Sequence, residues 1–113
     1  MSEPDGQSYA LGILTDVSMG DAIVEYLKRI DATLVPYDGR FLIHGAEAVT
    51  VEGVSPGTIV VIEFPTRSGA TDWYHSPAYQ AIVPLRAGHS TSVICLVDGV
   101  PPGHAATDVL SAT

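Results

Sequence analysis

Residues 58–64 form the segment that most restricts what this chain can fold into. The segment reads Thr-Ile-Val-Val-Ile-Glu-Phe and is rich in β-branched residues, which favour extended structure. Side chains alternate between the two faces of a strand, so Ile59 and Val61 share one face with Glu63, and the remaining apolar side chains take the other. Both faces of this strand are therefore mostly apolar, and both must be covered in the folded protein.

An earlier strand is predicted to pair with this one. Residues 53–57 read Gly-Val-Ser-Pro-Gly, which is typical of a turn. Before the turn, residues 40–43 and 47–52 predict a strand that is interrupted at Gly45, where the missing side chain suggests a bulge or a close backbone approach. The two strands should form a hairpin.

The first strand and the first helix are predicted near the start of the chain. Residues 9–17 are a short, mostly apolar run bounded by polar residues, as in a strand. Ser18 predicts a helix N-cap, and Asp21 places a carboxylate in the first turn. The predicted helix has one apolar face, formed by Ile23, Leu27, Ile30 and Leu34. Pro36 and a left-handed turn at Gly39 should end it.

The second half of the chain completes the predicted fold. A short helix is expected from Pro65-Thr66 to about Tyr74, and Ser76-Pro77 caps another that runs to about Arg86. Residues 91–97 predict the last strand. The order strand, helix, strand, strand, helix, strand is that of the ferredoxin-like α+β fold with a four-stranded antiparallel sheet.

Two helices cover only one face of such a sheet, and in a single copy the other face would be apolar but exposed to water. The composition agrees, because 46% hydrophobic and 16% charged residues are more apolar than a chain of 113 residues normally buries alone. We therefore predict a homodimer whose two sheets face each other. One domain is expected over residues 8–99, with flexible ends at 1–7 and 100–113.

Charge excludes several classes of partner. The net charge of −8 and the absence of a Lys/Arg stripe argue against nucleic acid and against an anionic membrane. No apolar run approaches the length of a membrane helix, and the acidic first residues differ from a signal peptide, so a cytoplasmic protein is expected. Cys95 lies in an apolar run and is interpreted as a buried strand residue.

Several short motifs, in this order and spacing, resemble the bacterial DUF1330 family of the dimeric α+β barrel superfamily. They are Tyr37-Asp38-Gly39-Arg40-Phe41-Leu42, Val61-Ile62-Glu63-Phe64-Pro65, Trp73-Tyr74, Ser76-Pro77-Ala78-Tyr79-Gln80 and Leu85-Arg86. The resemblance covers about residues 9–98. It implies a dimeric barrel with a pocket between the sheet and the helices, in a superfamily that includes cofactor-independent monooxygenases, haem-degrading proteins, lactone isomerases and small-ligand regulators. Where family members tend to read Arg-Gly-Gly, this chain has His44-Gly45-Ala46.

Three residues are candidates for catalysis in such a pocket. Glu63 on an apolar strand is paired with Arg40 or Arg86, is an acid or base whose pKa is raised by burial, or lies at a strand end that reaches water. His44 is either an ordinary strand histidine or a general base, and a hairpin could bring it close to Glu63. Arg86 or Arg40 would stabilise developing negative charge.

Aromatic residues complete the predicted site: Tyr37, Trp73, Tyr74 and Tyr79 would bind substrate or fill the core and the dimer interface. No nucleotide-binding motif, nucleophile elbow or metal-ligand pattern is present in the sequence, so no cofactor is expected. The leading hypothesis is a cofactor-independent cyclase, isomerase, dehydratase or oxygenase of small-molecule metabolism, secondary metabolism included, that acts on a small, largely apolar molecule. The alternatives are a non-catalytic ligand-binding or stress-response module, and a purely structural Glu63–Arg86 pair.

Overall fold

The computed structural model of the chain describes residues 6–112, which form a four-stranded sheet and three α-helices. In chain order the strands are β1 (Ser8–Thr15), β2 (Arg40–His44), β3 (Thr58–Phe64) and β4 (Thr91–Asp98). The α-helices are α1 (Asp21–Leu34), α2 (Arg67–His75) and α3 (Pro77–Ala87). Two 3₁₀ helices span Val35–Tyr37 and Ala106–Ala112.

The strands lie in the order β2-β3-β1-β4, and every neighbouring pair is antiparallel. Helix α1 connects β1 to β2, and α2 and α3 connect β3 to β4. This arrangement confirms the predicted ferredoxin-like α+β fold. The predicted hairpin of β2 and β3 is present as well.

Helix α1 packs on the sheet by one face. Its buried side chains recur at helical spacing, at Ile23, Tyr26, Ile30 and Leu34. Leu27, which the sequence placed on the buried face, is exposed, and Tyr26 takes the buried position instead.

The start of α1 differs from the prediction. Asp21 lies in the first turn as expected, but Gly20 is the N-cap and no side chain caps the helix. The predicted Ser18 cap is wrong, because Gly20 and not Ser18 directly precedes the first residue of the helix. The Ser18 backbone N–H donates to the carbonyl of His89, at 2.8 Å, before the helix begins.

The end of α1 also differs in detail. Asp38, with φ 56°, adopts the left-handed conformation that was expected of Gly39. Gly39 is needed for a different reason: a Cβ there would lie 2.7 Å from the Phe64 ring and 2.8 Å from Leu34. The glycine lets the chain pass directly over these core side chains.

Strand β2 is shorter and more irregular than predicted. Its register with β3 shifts between Phe41 and Ile43, which makes Leu42 a bulged residue. The strand ends at His44, and residues 47–52, predicted to resume it, form an exposed loop in which Val49 and Val51 make no strand. The expected interruption at Gly45 is thus the end of the strand.

The caps of α2 and α3 agree with the sequence. The Thr66 hydroxyl accepts from the backbone N–H of Gly69, at 2.9 Å, at the start of α2. The Ser76 hydroxyl accepts from Tyr79 N–H, at 3.2 Å, and donates to the Trp73 carbonyl, at 2.7 Å. One buried serine therefore ends α2 and begins α3.

The sheet has a covered face and an open face. Helices pack on the face that carries Ala10, Ile62 and Phe64, all buried. The opposite, open face bears rows of apolar side chains that the strand register aligns across the sheet: Leu11, Ile13, Ile43, Ile59, Val61, Val93, Cys95 and Val97. Cys95 is exposed in the single chain, so its predicted burial is wrong for one copy.

The predicted flexible ends are only partly described. Residues 1–5 and Thr113 lie outside the described residues. Within the predicted C-terminal tail, residues 106–112 form a 3₁₀ helix, and the backbone N–H of Ala105, just before it, donates to the carboxylate of Asp108, at 3.0 Å. Flexibility of either end stays a prediction.

Candidate functional site

A cavity of about 290 Å³ lies between the covered face of the sheet and the helices. Its floor includes Gly12 in the middle of β1, where the missing side chain leaves room above the strand. Most of its lining is apolar, from residues such as Leu14, Ile23, Leu27, Ile30, Phe41, Val60, Ile62 and Ile94. The predicted pocket between sheet and helices is therefore present, and its few polar groups define what it can do.

Arg86 is the charged group of the cavity. It is only 5% exposed, and its Nη1 donates to the hydroxyl of Ser92 on β4. Its guanidinium carbon lies 5.8 Å from the centre of the Tyr26 ring, within the range of a cation–π contact. Among the described residues Arg86 Nε has no hydrogen-bond partner, and no salt bridge involves this side chain.

Two tyrosine hydroxyls meet beside Arg86. The Tyr26 and Tyr79 oxygens are 2.7 Å apart and form a buried hydrogen bond. Burial, reinforced by Tyr79, raises the pKa of the Tyr26 hydroxyl far above its ordinary value of 10.0. Tyr26 therefore stays protonated at neutral pH and supplies no negative charge to Arg86.

Trp73 and Tyr79 form the aromatic wall of the cavity. Their ring centres are 4.1 Å apart, and both side chains are almost fully buried. Trp73 Nε1 donates to the Thr33 hydroxyl, at 2.9 Å, which in turn donates to the Ile30 carbonyl. The indole is thus fixed by a hydrogen bond to α1, and both residues serve the core and the cavity together.

His44 lies at the open side of the cavity. The residue is exposed, and its ring stacks on Phe41 with 4.2 Å between ring centres. It lines the cavity together with the exposed residues Val17, Met19 and Gly45. An imidazole here meets both water and a bound ligand.

Glu63 and Arg40 do not belong to this cavity. Glu63 lies on the open face of the sheet, where Arg40 Nε donates to its carboxylate, at 2.7 Å, and Gln7 donates to the other oxygen. The predicted pairing with Arg40 is confirmed. Because His44 pairs with Val60, it faces the opposite side of the sheet from Glu63, and the predicted His44–Glu63 arrangement is wrong.

The Glu63–Arg86 pair is likewise wrong, since Arg86 lines the cavity and contacts Ser92 on the covered face. Tyr37 and Tyr74, predicted to bind substrate, pack against the core from its edge and do not line the cavity. Their role in binding substrate stays a prediction.

Sequence reasoning missed two residues of the site. Tyr26 sits three and four residues from Ile23 and Ile30, a helical spacing that marks it as part of the buried face of α1. Ser92 is a hydroxyl at the start of an otherwise apolar strand. Both patterns are visible in the sequence, but neither indicates that Tyr26 and Ser92 both lie next to Arg86 in the fold.

Two features are absent from residues 6–112. They contain no group of three or more His, Cys, Asp or Glu side chains placed to hold a metal ion. None of their helices combines the length and the apolar character that crossing a membrane requires.

Solved structures with the same fold are distant in sequence. RPA0582, a protein of unknown function from Rhodopseudomonas palustris, matches with a TM-score of 0.66 at 15% identity, covering 87% of this chain and 87% of that one. Its methylated form gives 0.66 at 16% identity over 88% and 87%. SnoaB, a cofactor-independent oxygenase from Streptomyces nogalater, gives 0.51 at 12% identity over 91% of this chain and 100% of SnoaB.

No curated protein matches the chain in sequence. A family model does, the domain of unknown function DUF1330, over residues 7–100. That span includes all four strands and all three α-helices of the described structure, together with every residue that lines the cavity. The chain therefore belongs to the DUF1330 family.

Proposed function

We propose that the chain is an enzyme that performs acid–base chemistry on a small, largely apolar molecule bound in the cavity, without a tightly held cofactor. One observation carries the proposal: a buried arginine with an unused donor shares an apolar cavity with a histidine at its mouth. A buried cation and a titratable group in one cleft are typical of a functional site.

In this proposal His44 is the general base, because an imidazole changes protonation near neutral pH and this one is reachable from the cavity. Arg86 stabilises the negative charge that proton removal creates. His44 lies on β2 and Ser92, the partner of Arg86, on β4, so the two groups approach the cavity from opposite edges of the sheet. Both side chains line the same cavity, so one bound substrate could contact both groups.

The fold is compatible with this chemistry. SnoaB has the same fold and is a cofactor-independent oxygenase. At 12% identity this likeness concerns the architecture and not the reaction, so the proposal depends on the cavity of this chain.

The test measures proton transfer directly. The protein is incubated in D₂O with aryl methyl ketones of one to three rings, and deuteration next to the carbonyl is followed by NMR. We expect the wild type to accelerate exchange and His44→Ala to lose about a hundredfold of the acceleration. His89→Ala, an exposed histidine outside the cavity, is the control and should keep it. Equal rates in the His44 variant and the wild type would overturn the proposal.

A non-catalytic binding protein is the second candidate. It is favoured by the hydrogen bond between the Tyr26 and Tyr79 hydroxyls. Two groups that could donate a proton to a substrate are bonded to each other instead. In this case ketones quench or shift the fluorescence of Trp73, the single tryptophan, yet no deuterium is incorporated. The same samples therefore distinguish the two candidates.

We also propose that the open face of the sheet binds a second copy of the chain. The face is apolar across all four strands, and Val93 and Val97 on it are 59% and 49% exposed. A self-complementary apolar sheet face is well suited to packing against an identical one. The Arg40–Glu63 pair would then lie at the border of the interface.

A further inference from the structure

The charge of Arg86 has no counter-ion in the described part of the chain. A guanidinium remains protonated in proteins, so Arg86 cannot lose a proton to avoid the free-energy cost of burying its charge. None of the residues that line the cavity is acidic. The nearest groups that could become anionic are Tyr26 and Tyr79, and burial keeps Tyr26 protonated.

Burying an uncompensated charge costs several kcal/mol, and a fold retains it where something balances it. Of the Arg86 donors, Nη1 is used by Ser92 while Nε is buried and has no partner among residues 6–112. Serine is neutral, so this contact positions the guanidinium and leaves the charge unbalanced. The missing partner is an acceptor that brings negative charge with it.

The tyrosine pair provides a second donor at the same place. Two hydroxyls carry two protons, and their mutual bond uses one of them. The remaining proton is available to a second acceptor atom beside Arg86. Around these groups the cavity is apolar, from Ile23 and Ile30 on α1 to Ile62 and Ile94 on the sheet.

We propose that the cavity binds a monoanionic organic acid whose anionic oxygen accepts a hydrogen bond from the Arg86 guanidinium and whose body is apolar. An apolar cavity of about 150 Å³ accommodates benzene, so the cavity here has room for a body of about two rings. The anionic oxygen belongs to a carboxylate or to an acidic enol, and these share the chemistry that Arg86 recognises. The inference rests on the proposed function, because it names the class of molecule that occupies the same site.

The test compares two-ring ligands of similar size, two of them anionic and one neutral. 2-Naphthoate, the neutral 2-naphthylmethanol and the enolate of 2-hydroxy-1,4-naphthoquinone are titrated into the full chain by calorimetry. We expect at least one of the two anions to bind about tenfold or more tightly than the alcohol. Preference for naphthoate identifies a carboxylate, and preference for the naphthoquinone identifies an enolate. Equal affinity for all three would overturn the proposal.

Variants assign the preference to Arg86. Arg86→Met keeps an apolar side chain of similar length and should bind the alcohol but lose the preference for the anion. Arg40→Met, on the open face, is the matched control and should keep it. A preference that survives Arg86→Met would overturn the assignment. If that variant does not fold, the wild-type comparison still decides the ligand class, and Arg86→Lys tests whether charge without Nε suffices.

Failure here is separate from failure of the proposed enzyme activity. The exchange assay uses neutral ketones and depends on His44, whereas this titration follows binding and depends on Arg86. A chain that exchanges ketone protons but ignores ligand charge would be an enzyme for neutral substrates.

Discussion

The Tyr26 hydroxyl couples the stability of the protein to alkaline pH. In the unfolded chain the phenol loses its proton around pH 10.0, whereas in the fold burial and Tyr79 raise its pKa well above that. Above pH 10.0 the unfolded state therefore binds fewer protons than the folded state, and the free energy of unfolding falls as pH rises.

This gives a prediction for Tyr26→Phe. Between pH 10 and 11 the wild type should lose about 1 kcal/mol more stability than the variant, because the variant has no proton to release at this position on unfolding. Urea denaturation at a series of pH values measures the difference. Tyr9→Phe retains Tyr26 and should keep the wild-type slope. Parallel pH profiles for Tyr26→Phe and the wild type would contradict the prediction.

Single residues show where sequence reasoning stopped. Glu63 was expected to pair with an arginine, and its strand neighbour Arg40 is the partner, because register alone brings them together. Arg86 was expected to act in the pocket, and it does line the cavity. Its unused Nε could not be predicted, since it follows from the positions of Ser92, Tyr26 and Tyr79 in three dimensions.

Among the secondary-structure elements, α2 and α3 share one capping residue, Ser76. The buried hydroxyl serves both α2 and α3, so Ser76→Ala should lower the free energy of unfolding by about 1–2 kcal/mol. Ser18, which has the sequence signature of a cap but caps nothing, is the matched control, and Ser18→Ala should stay within about 0.5 kcal/mol. Chemical denaturation of both variants measures this. Equal losses would mean that the cap assignment is wrong.

Regular elements were predictable where pattern and propensity agree. Strand β3 was predicted with the bounds that the structure has, because its β-branched run is bounded by glycine and proline turns. Residues 47–52 contain similar valines, yet no neighbouring strand pairs with them in the single chain. Local propensity could not distinguish these cases, since pairing partners decide whether a segment becomes a strand.

The bulge in β2 explains why the His44–Glu63 arrangement failed. With strict alternation, residues 40, 42 and 44 share a face, and His44 would lie on the same face as Arg40 and Glu63. Leu42 is an extra residue between paired positions, so the alternation shifts by one and His44 turns to the cavity. A bulge on an edge strand leaves no signal in the apolar pattern of the sequence.

At the scale of the whole molecule, the apolar open face predicts association. Val93→Lys places a charge within the proposed interface, on the edge strand β4, at a position that one copy leaves exposed, so each subunit should still fold. We expect a dimer for the wild type and a monomer for this variant in analytical ultracentrifugation. Val35→Lys, at a position 72% exposed outside the sheet, should remain dimeric. A monomeric wild type would contradict the predicted dimer.

The extra residue in β2 also bears on how related chains are compared. A homologue that lacks one amino acid between positions 40 and 44 would turn the side chain at the last of these towards the open face of the sheet and away from the cavity. An alignment based on residue identity alone would then pair histidines that lie on opposite faces of the sheet and have different roles. The length of strand β2 is therefore a better guide to shared chemistry than the presence of the histidine, and it should be compared first.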